Sequence, residues 1–421
     1  MRLRGRVREV SGVRRHTLVS GLAGPHGLLA ALWLFLVFVG GYSIVPASVM
    51  SVVMAELSVG PTAASWVLTA PQVAAAIIGL PVGIYLDRVN NRAAAVASVL
   101  VLLAAGVWGW MAADAGAYWP LIASRLLGGT AFVTFWVAGA NLLTGAFGTG
   151  NRATAVAVYT TGYPVGYAVG QYTGPLIVGR LGWAAIFAAF AVLGLVVLPV
   201  LVFVGRSVDA TVSAEQTPGL AEIKRVLLSR GVWFVGVMSF TVYSLYMLVN
   251  SWMPTYSAET FGLSLAESGL LVALFPATGI VARTAGGVLS DRVFGHRRRP
   301  IVLVSFLVTS ALVAALYYSG TVMLFLLGIV AAGVFVQLQI GLLYTYAGEF
   351  VGSNVAGTAI AIISVVGWGG AFAAPAVAGA LLESTGSYVS VFGYALVLGL
   401  VGVGVTLVAP ESQTYTGRRN G

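Results

Sequence analysis

The chain has 421 residues, of which 59% are hydrophobic and only 8% charged, and its mean hydropathy is +0.95. A water-soluble fold of that composition would lack polar surface, whereas lipid can solvate it. The absence of cysteine excludes disulfides and thiolate metal sites, and the formal charge of +9 has to be explained by where the basic residues fall.

Residues 1–26 hold Arg2, Arg4, Arg6, Arg8, Arg14 and Arg15 and lead into the first apolar run. That run is too long for a cleavable signal. The segment also lacks the interleaved aromatics of a nucleic-acid-binding tail, so no nucleic acid partner is expected. Crossing the hydrocarbon takes about 20 apolar residues. Runs of that length predict an all-α membrane protein with twelve spans, at 27–51, 63–86, 93–113, 117–145, 153–179, 183–205, 231–256, 265–290, 300–318, 321–347, 355–382 and 387–409. Nineteen of the 22 basic residues precede the first span, follow the last, or lie in even-numbered connections. The positive-inside rule makes that side cytoplasmic, with both termini on it. The expected organisation is a basic segment at 1–26, a six-helix bundle at 27–205, a cytoplasmic linker at 206–230, a second bundle at 231–409 and a tail at 410–421, as a multi-pass protein of the plasma membrane.

Taken in chain order, span two ends in GIYLDRVNNR, with Gly83, Asp87, Arg88 and Arg92. Span four carries Arg125 and Gly129 in ASRLLGGTAF. On span five Tyr163, Tyr167 and Gln171 share one face at four-residue spacing. The same span holds Gly170, Gly174 and Pro175, small residues that let backbones approach and a proline that bends the helix. In the linker, Pro218 and Gly219 break the chain before AEIKRVLLS, which predicts a short amphipathic helix. Span seven presents Tyr243, Tyr246 and Asn250 on one face, and span ten adds Gln337 and Tyr344. Span eight contains Arg283 and ends in GVLSDRVFGHRRR, with Gly287, Asp291 and Arg292.

Gly83, Asp87 and Arg88 recur 204 positions later as Gly287, Asp291 and Arg292. The chain is therefore a duplication of one helical bundle, the arrangement common in transporters. A glycine, three residues, Asp-Arg and a basic cluster between spans two and three, repeated between spans eight and nine, resembles the signature loop of the major facilitator superfamily. The resemblance covers about residues 27 to 410, with Asn90 and Asn91 standing where the family usually has glycine and a basic residue. It implies two pseudo-symmetric six-helix bundles that rock about a central site. It also implies an inner latch, in which Asp87 addresses the start of span eleven and Asp291 the start of span five near Asn151 to Thr154, each carboxylate facing the positive end of a helix. Arg125 and Gly129 resemble the family's arginine-and-glycine motif on span four. Gly170, Gly174 and Pro175 match part of a motif found in exporters that exchange solute for protons. The stretch FPATGIVARTAGGVLSDR resembles the matching helix of the superfamily's anion carriers, including nitrate/nitrite porters. Those porters also carry an arginine on span two and asparagine-containing glycine motifs on spans five and eleven, where this chain has Gly79 and neither asparagine.

None of the 13 acids falls near mid-membrane, so Arg125 and Arg283 are the ionisable groups expected in the hydrocarbon. Arg283 lies eight residues before Asp291, about 12 Å into the bilayer at 1.5 Å per residue. An arginine at that depth has to face water, protein or an anion. With no acid beside it, a bound anion is the expected neutraliser. The expected substrate-binding set is Arg283 with Tyr246, Asn250, Tyr243, Arg125, Tyr163, Tyr167 and Gln337. The expected gating set is Gly83, Asp87, Arg88, Arg92, Gly287, Asp291 and Arg292, with Gly129, Gly170, Gly174 and Pro175 in helix packing. Paired acids, metal-ligand clusters and phosphate loops are missing from the spans, so no enzyme, metal site, cofactor or ATP drive is expected. The reading is a secondary transporter of a small organic or inorganic anion, a monomer in the lipid bilayer whose partners are a small-molecule substrate and a coupling ion. Two alternatives stay open, a proton-coupled exporter of amphipathic compounds and a non-transporting membrane sensor.

Overall fold

With no water to receive them, backbone N–H and C=O groups in lipid must pair within their own segment, so long apolar runs become helices. The computed structural model describes residues 24–86, 89–147, 151–203, 220–351 and 355–411. Among them there is no strand. The helices are α1 Pro25–Leu57, α2 Pro61–Leu86, α3 Asn91–Asp114, α4 Tyr118–Ala146, α5 Arg152–Leu181, α6 Trp183–Phe203, α7 Arg230–Phe261, α8 Leu265–Arg292, α9 Arg299–Tyr317, α10 Val322–Gly348, α11 Ala356–Thr385 and α12 Tyr388–Val408. All but α5 are apolar and long enough to cross a bilayer. At 30 residues α5 is also long enough, and its hydropathy is lowered by Tyr159, Tyr163, Tyr167, Gln171 and Tyr172. It is the helix that carries hydrogen-bonding groups into the interior.

The helices correspond to the twelve expected spans, with two internal differences. In α1 a tighter turn at Val45–Val49, begun by Pro46, separates two α segments, so the helix runs on to Leu57. In α8 the helix stops at Ala277, one residue after Pro276, and resumes at Gly279. Proline lacks the N–H that continues a helix, which accounts for both interruptions. In the linker, a short helix at Leu220–Leu227 tucks Val226 into the C-terminal core and leaves Lys224 and Arg225 exposed. The expected basic segment up to residue 23, linker residues 204–219 and tail residues 412–421 lie outside the described residues.

One apolar core fills the α1–α6 half, and another fills the α7–α12 half and takes in Ile44, Met50, Leu68 and Tyr167 of the first. Within the first half, Gly170 and Gly174 of α5 press on Gly41, Ile44, Val45 and Ser48 of α1, so these glycines serve close helix packing. Arginines at two helix starts tie each half's outer helices together. Arg92 at the start of α3 donates Nε to the Leu201 carbonyl at 2.9 Å and Nη2 to that of Val202 at the end of α6, and Arg299 at the start of α9 donates to Leu407 at the end of α12. These carbonyls are ones that a helix end leaves unpaired.

The halves meet mainly along α2 with α11 and α5 with α8. At the end away from the basic connections they touch through hydrogen bonds. Ser65 Oγ donates to the Pro375 carbonyl at 3.0 Å, and Thr62 N donates to Glu383 Oε2 at 3.1 Å. At the basic end, Gly83 of α2 and Gly287 of α8 have nothing within 4 Å of where a Cβ would stand. The hydrogen bonds close the end away from the basic connections.

Candidate functional site

Two arginines enter the membrane interior, and their surroundings differ. Arg125 is fully buried, with Nε on the Val67 carbonyl at 3.0 Å, Nη1 on Tyr42 at 2.8 Å and Nη2 on Ser43 at 2.9 Å. Pro46 and Pro71 explain the targets. Each leaves the carbonyl four residues earlier, Tyr42 and Val67, without its helical partner. The guanidinium also lies 4.3 Å from the centroid of the Tyr42 ring. Arg125 is thus a brace for two bent helices and is not among the residues of the cavity wall.

Arg283 is half-buried and gives only Nε to protein, to Gln337 Oε1 at 2.8 Å. Its two terminal nitrogens make no hydrogen bond among the described residues. The side chain borders a narrow cavity of about 30 Å³, room for a couple of waters or one small ion. The α1–α6 half contributes Gln72, Phe132, Trp136, Tyr163 and Tyr167 to the wall, and the other half contributes Tyr243, Tyr246, Met247, Arg283, Tyr344, Trp368 and Ala371. No acid lines it. At the basic end, Arg298 in the loop beyond α8 joins Asp291 at 2.5 Å and Glu349 at the end of α10 at 2.9 Å.

Tyrosines supply most of the polar wall. The Tyr243 and Tyr344 hydroxyls are 2.7 Å apart, those of Tyr163 and Tyr167 are 3.2 Å apart, and the Tyr246 hydroxyl is buried without a partner. Tyr167 stacks on Tyr246 with ring centroids 5.7 Å apart, one ring from each half. Just beyond this pair toward the closed end, Gln171 Nε2 donates to the Asn250 carbonyl at 2.6 Å. Asn250 itself is fully buried, with its amide on the Tyr246 carbonyl at 2.8 Å. It therefore stands behind Tyr246 rather than in the cavity wall.

The expected gating residues divide likewise. Asp87 and Arg88 lie outside the described residues. Arg92 caps α6 in its own half, and Arg292 is exposed. Asp291 accepts from Arg298 Nη1 and lies 3.1 Å from His296 Nδ1, both of its own connection. Asn90 caps α3 by accepting from Arg92 N and Ala93 N at 3.0 and 3.1 Å, which gives that departure from the family loop a local role.

Sequence reasoning missed Gln72, Phe132, Trp136 and Trp368. Phe132 and Trp136 stand four apart on one helix face, a spacing equally natural for lipid contact. Gln72 is the only amide side chain in α2, a signal that could have found it. Its amide is satisfied at both ends when it donates to the Leu68 and Thr69 carbonyls at 3.2 and 3.1 Å and turns its oxygen to the Tyr167 hydroxyl.

A family model described as Major Facilitator Superfamily matches residues 30–375. The chain is similar to a protein described as "Nitrite extrusion protein" from Bacillus subtilis (strain 168), 24% identical over 341 residues that make up 81% of this chain and 83% of that one. It is also 28% identical over 255 residues to "Probable nitrate/nitrite antiporter NarK1" of Thermus thermophilus, covering 58% of this chain and 56% of the relative. Among solved structures, a bacterial homolog of the human lysosomal transporter Spinster, inward-facing and occupied, superimposes with a TM-score of 0.77 at 15% identity over 91% of this chain and 96% of that one. At that identity the likeness is one of fold.

Proposed function

The chain belongs to the Major Facilitator Superfamily and is a transporter rather than an enzyme, and from that premise we propose that its cargo is a small monovalent anion bound by Arg283. The observation that carries the reading is the pair of terminal guanidinium nitrogens left without a hydrogen bond among the described residues, at a cavity lined by no described acid. A cation in low-dielectric surroundings attracts an anion far more strongly than it would in water, and two parallel N–H groups suit two oxygens of one oxyanion. The relatives' names, which refer to nitrite and nitrate, support the same substrate class. The surrounding tyrosine hydroxyls offer further donors, and cavity size favours a cargo of a few atoms. The exporter reading is weaker on this evidence. It needs a titratable acid in the path, and the α5 glycines that suggested it pack against α1 inside one half.

With the basic connections in the cytoplasm of a plasma-membrane protein, the hydrogen-bonded end of the bundle faces outside. Tyr167, Tyr246, Gln171 and Asn250 then separate the bound anion from the outside. In the opposite state the inner ends close, with Asp87 and Asp291 latching them to the helix starts of the other half. Proteoliposome counterflow with labelled nitrate tests the substrate assignment. The wild type should accumulate label against internal nitrate or nitrite, and Arg283→Ala should lower the rate at least about 100-fold, the loss of a charge-assisted bidentate contact. Undiminished counterflow in Arg283→Ala would remove the proposal.

A further inference from the structure

Gln337 sits at the crossing of the two features that make α8 unusual, its interruption and its arginine. The side chain is fully buried on α10. Its Oε1 accepts from Arg283 Nε at 2.8 Å, and its Nε2 donates to the Pro276 carbonyl at 3.3 Å, on the other side of the break. Gly279, the first residue after the break, provides the room, because a Cβ there would stand 2.5 Å from Gln337 Nε2. An amide is the group with an acceptor and a donor on one rigid plane, so both ends are used and the plane is fixed.

We infer that Gln337 is the positioning residue of the anion site. By occupying Nε it takes the side edge of the guanidinium out of play and turns the end edge, Nη1 with Nη2, to the cavity. A guanidinium is planar, so fixing one edge fixes the other. The anion is then met end-on by two parallel donors, which favours species that present two oxygens on one central atom, such as nitrate, nitrite or a carboxylate, over a spherical halide. Because the same amide holds the turn before the break, the arginine's height in the cavity is set by the bend in α8. Gln337 touches no cargo itself. It acts through Arg283, and this assignment rests on the anion reading above.

The test measures nitrate counterflow kinetics in proteoliposomes for Gln337→Leu, Gln337→Met and Gln337→Glu beside Arg283→Ala. KM does not depend on how much protein survives folding, so it separates positioning from stability. Gln337→Leu and Gln337→Met should raise the nitrate KM about tenfold or more with the maximal rate per folded protein within about threefold. They should also narrow the preference for nitrate over chloride as a competitor. Gln337→Glu, nearly the same size, places a carboxylate on the guanidinium and should abolish nitrate binding. A wild-type KM and unchanged chloride competition in all three variants would overturn the inference. So would a loss confined to the maximal rate. If wild-type counterflow depends on Arg283 while these variants behave as wild type, the positioning role fails alone; if Arg283→Ala is itself without effect, the anion reading has failed.

Discussion

Arg125 gives Nε to Val67 and its terminal nitrogens to Tyr42 and Ser43, so a guanidinium at full depth is spent on carbonyls that Pro46 and Pro71 leave open or nearby. Arg283, with its Nε on Gln337, keeps its other nitrogens for the cavity. The difference predicts different losses. Arg125→Leu strands three buried acceptors, each worth about 1–3 kcal/mol, so detergent-solubilised protein should unfold at a clearly lower temperature while the surviving fraction keeps its nitrate KM. A thermal shift close to zero, or a rise in KM without one, would contradict the bracing role. Both arginines were legible in the sequence as charges in apolar runs. Their opposite employment was not, because it depends on which carbonyls two distant prolines expose and on an amide 54 residues further along the chain.

At the level of helices, the spans could be read from apolar length to within several residues, and α5 could be read despite its polarity because its tyrosines share a face. The interruptions in α1 and α8 escaped, since a proline in a membrane helix can be absorbed by neighbours without breaking the helix, as at Pro71 and Pro81 of α2. Contacts between α2 and α11 close the outer end, and they give a direct handle on its motion. Ser65 Oγ lies 2.6 Å from where a Cβ on Gly379 would stand. A Ser65→Cys/Gly379→Cys pair therefore puts two thiols at one contact of α2 with α11, with a small backbone shift because the new Cβ would also stand 2.8 Å from the Pro61 carbonyl, in a chain with no cysteine of its own. Oxidation should stop counterflow and reductant should restore it, since the outer end must part for cargo to cross. Transport that continues at full rate with the disulfide formed would mean that α2 and α11 do not separate there.

For the whole molecule, the repeated loop announced the duplication, and with it a site between halves. Which end is open was not readable, because both conformations are built from the same sequence and differ only in which contacts are made. The structure joins the halves at Ser65 and Pro375 and leaves Arg283 in a small cavity bounded by rings from both sides. That geometry amounts to one positive charge and one place for a negative one. Calorimetric titration of nitrate into the purified full-length protein tests it most directly. The account predicts one anion per chain, with binding lost in Arg283→Ala and retained in the folded fraction of Arg125→Leu. Equal nitrate binding by wild type and Arg283→Ala would contradict it.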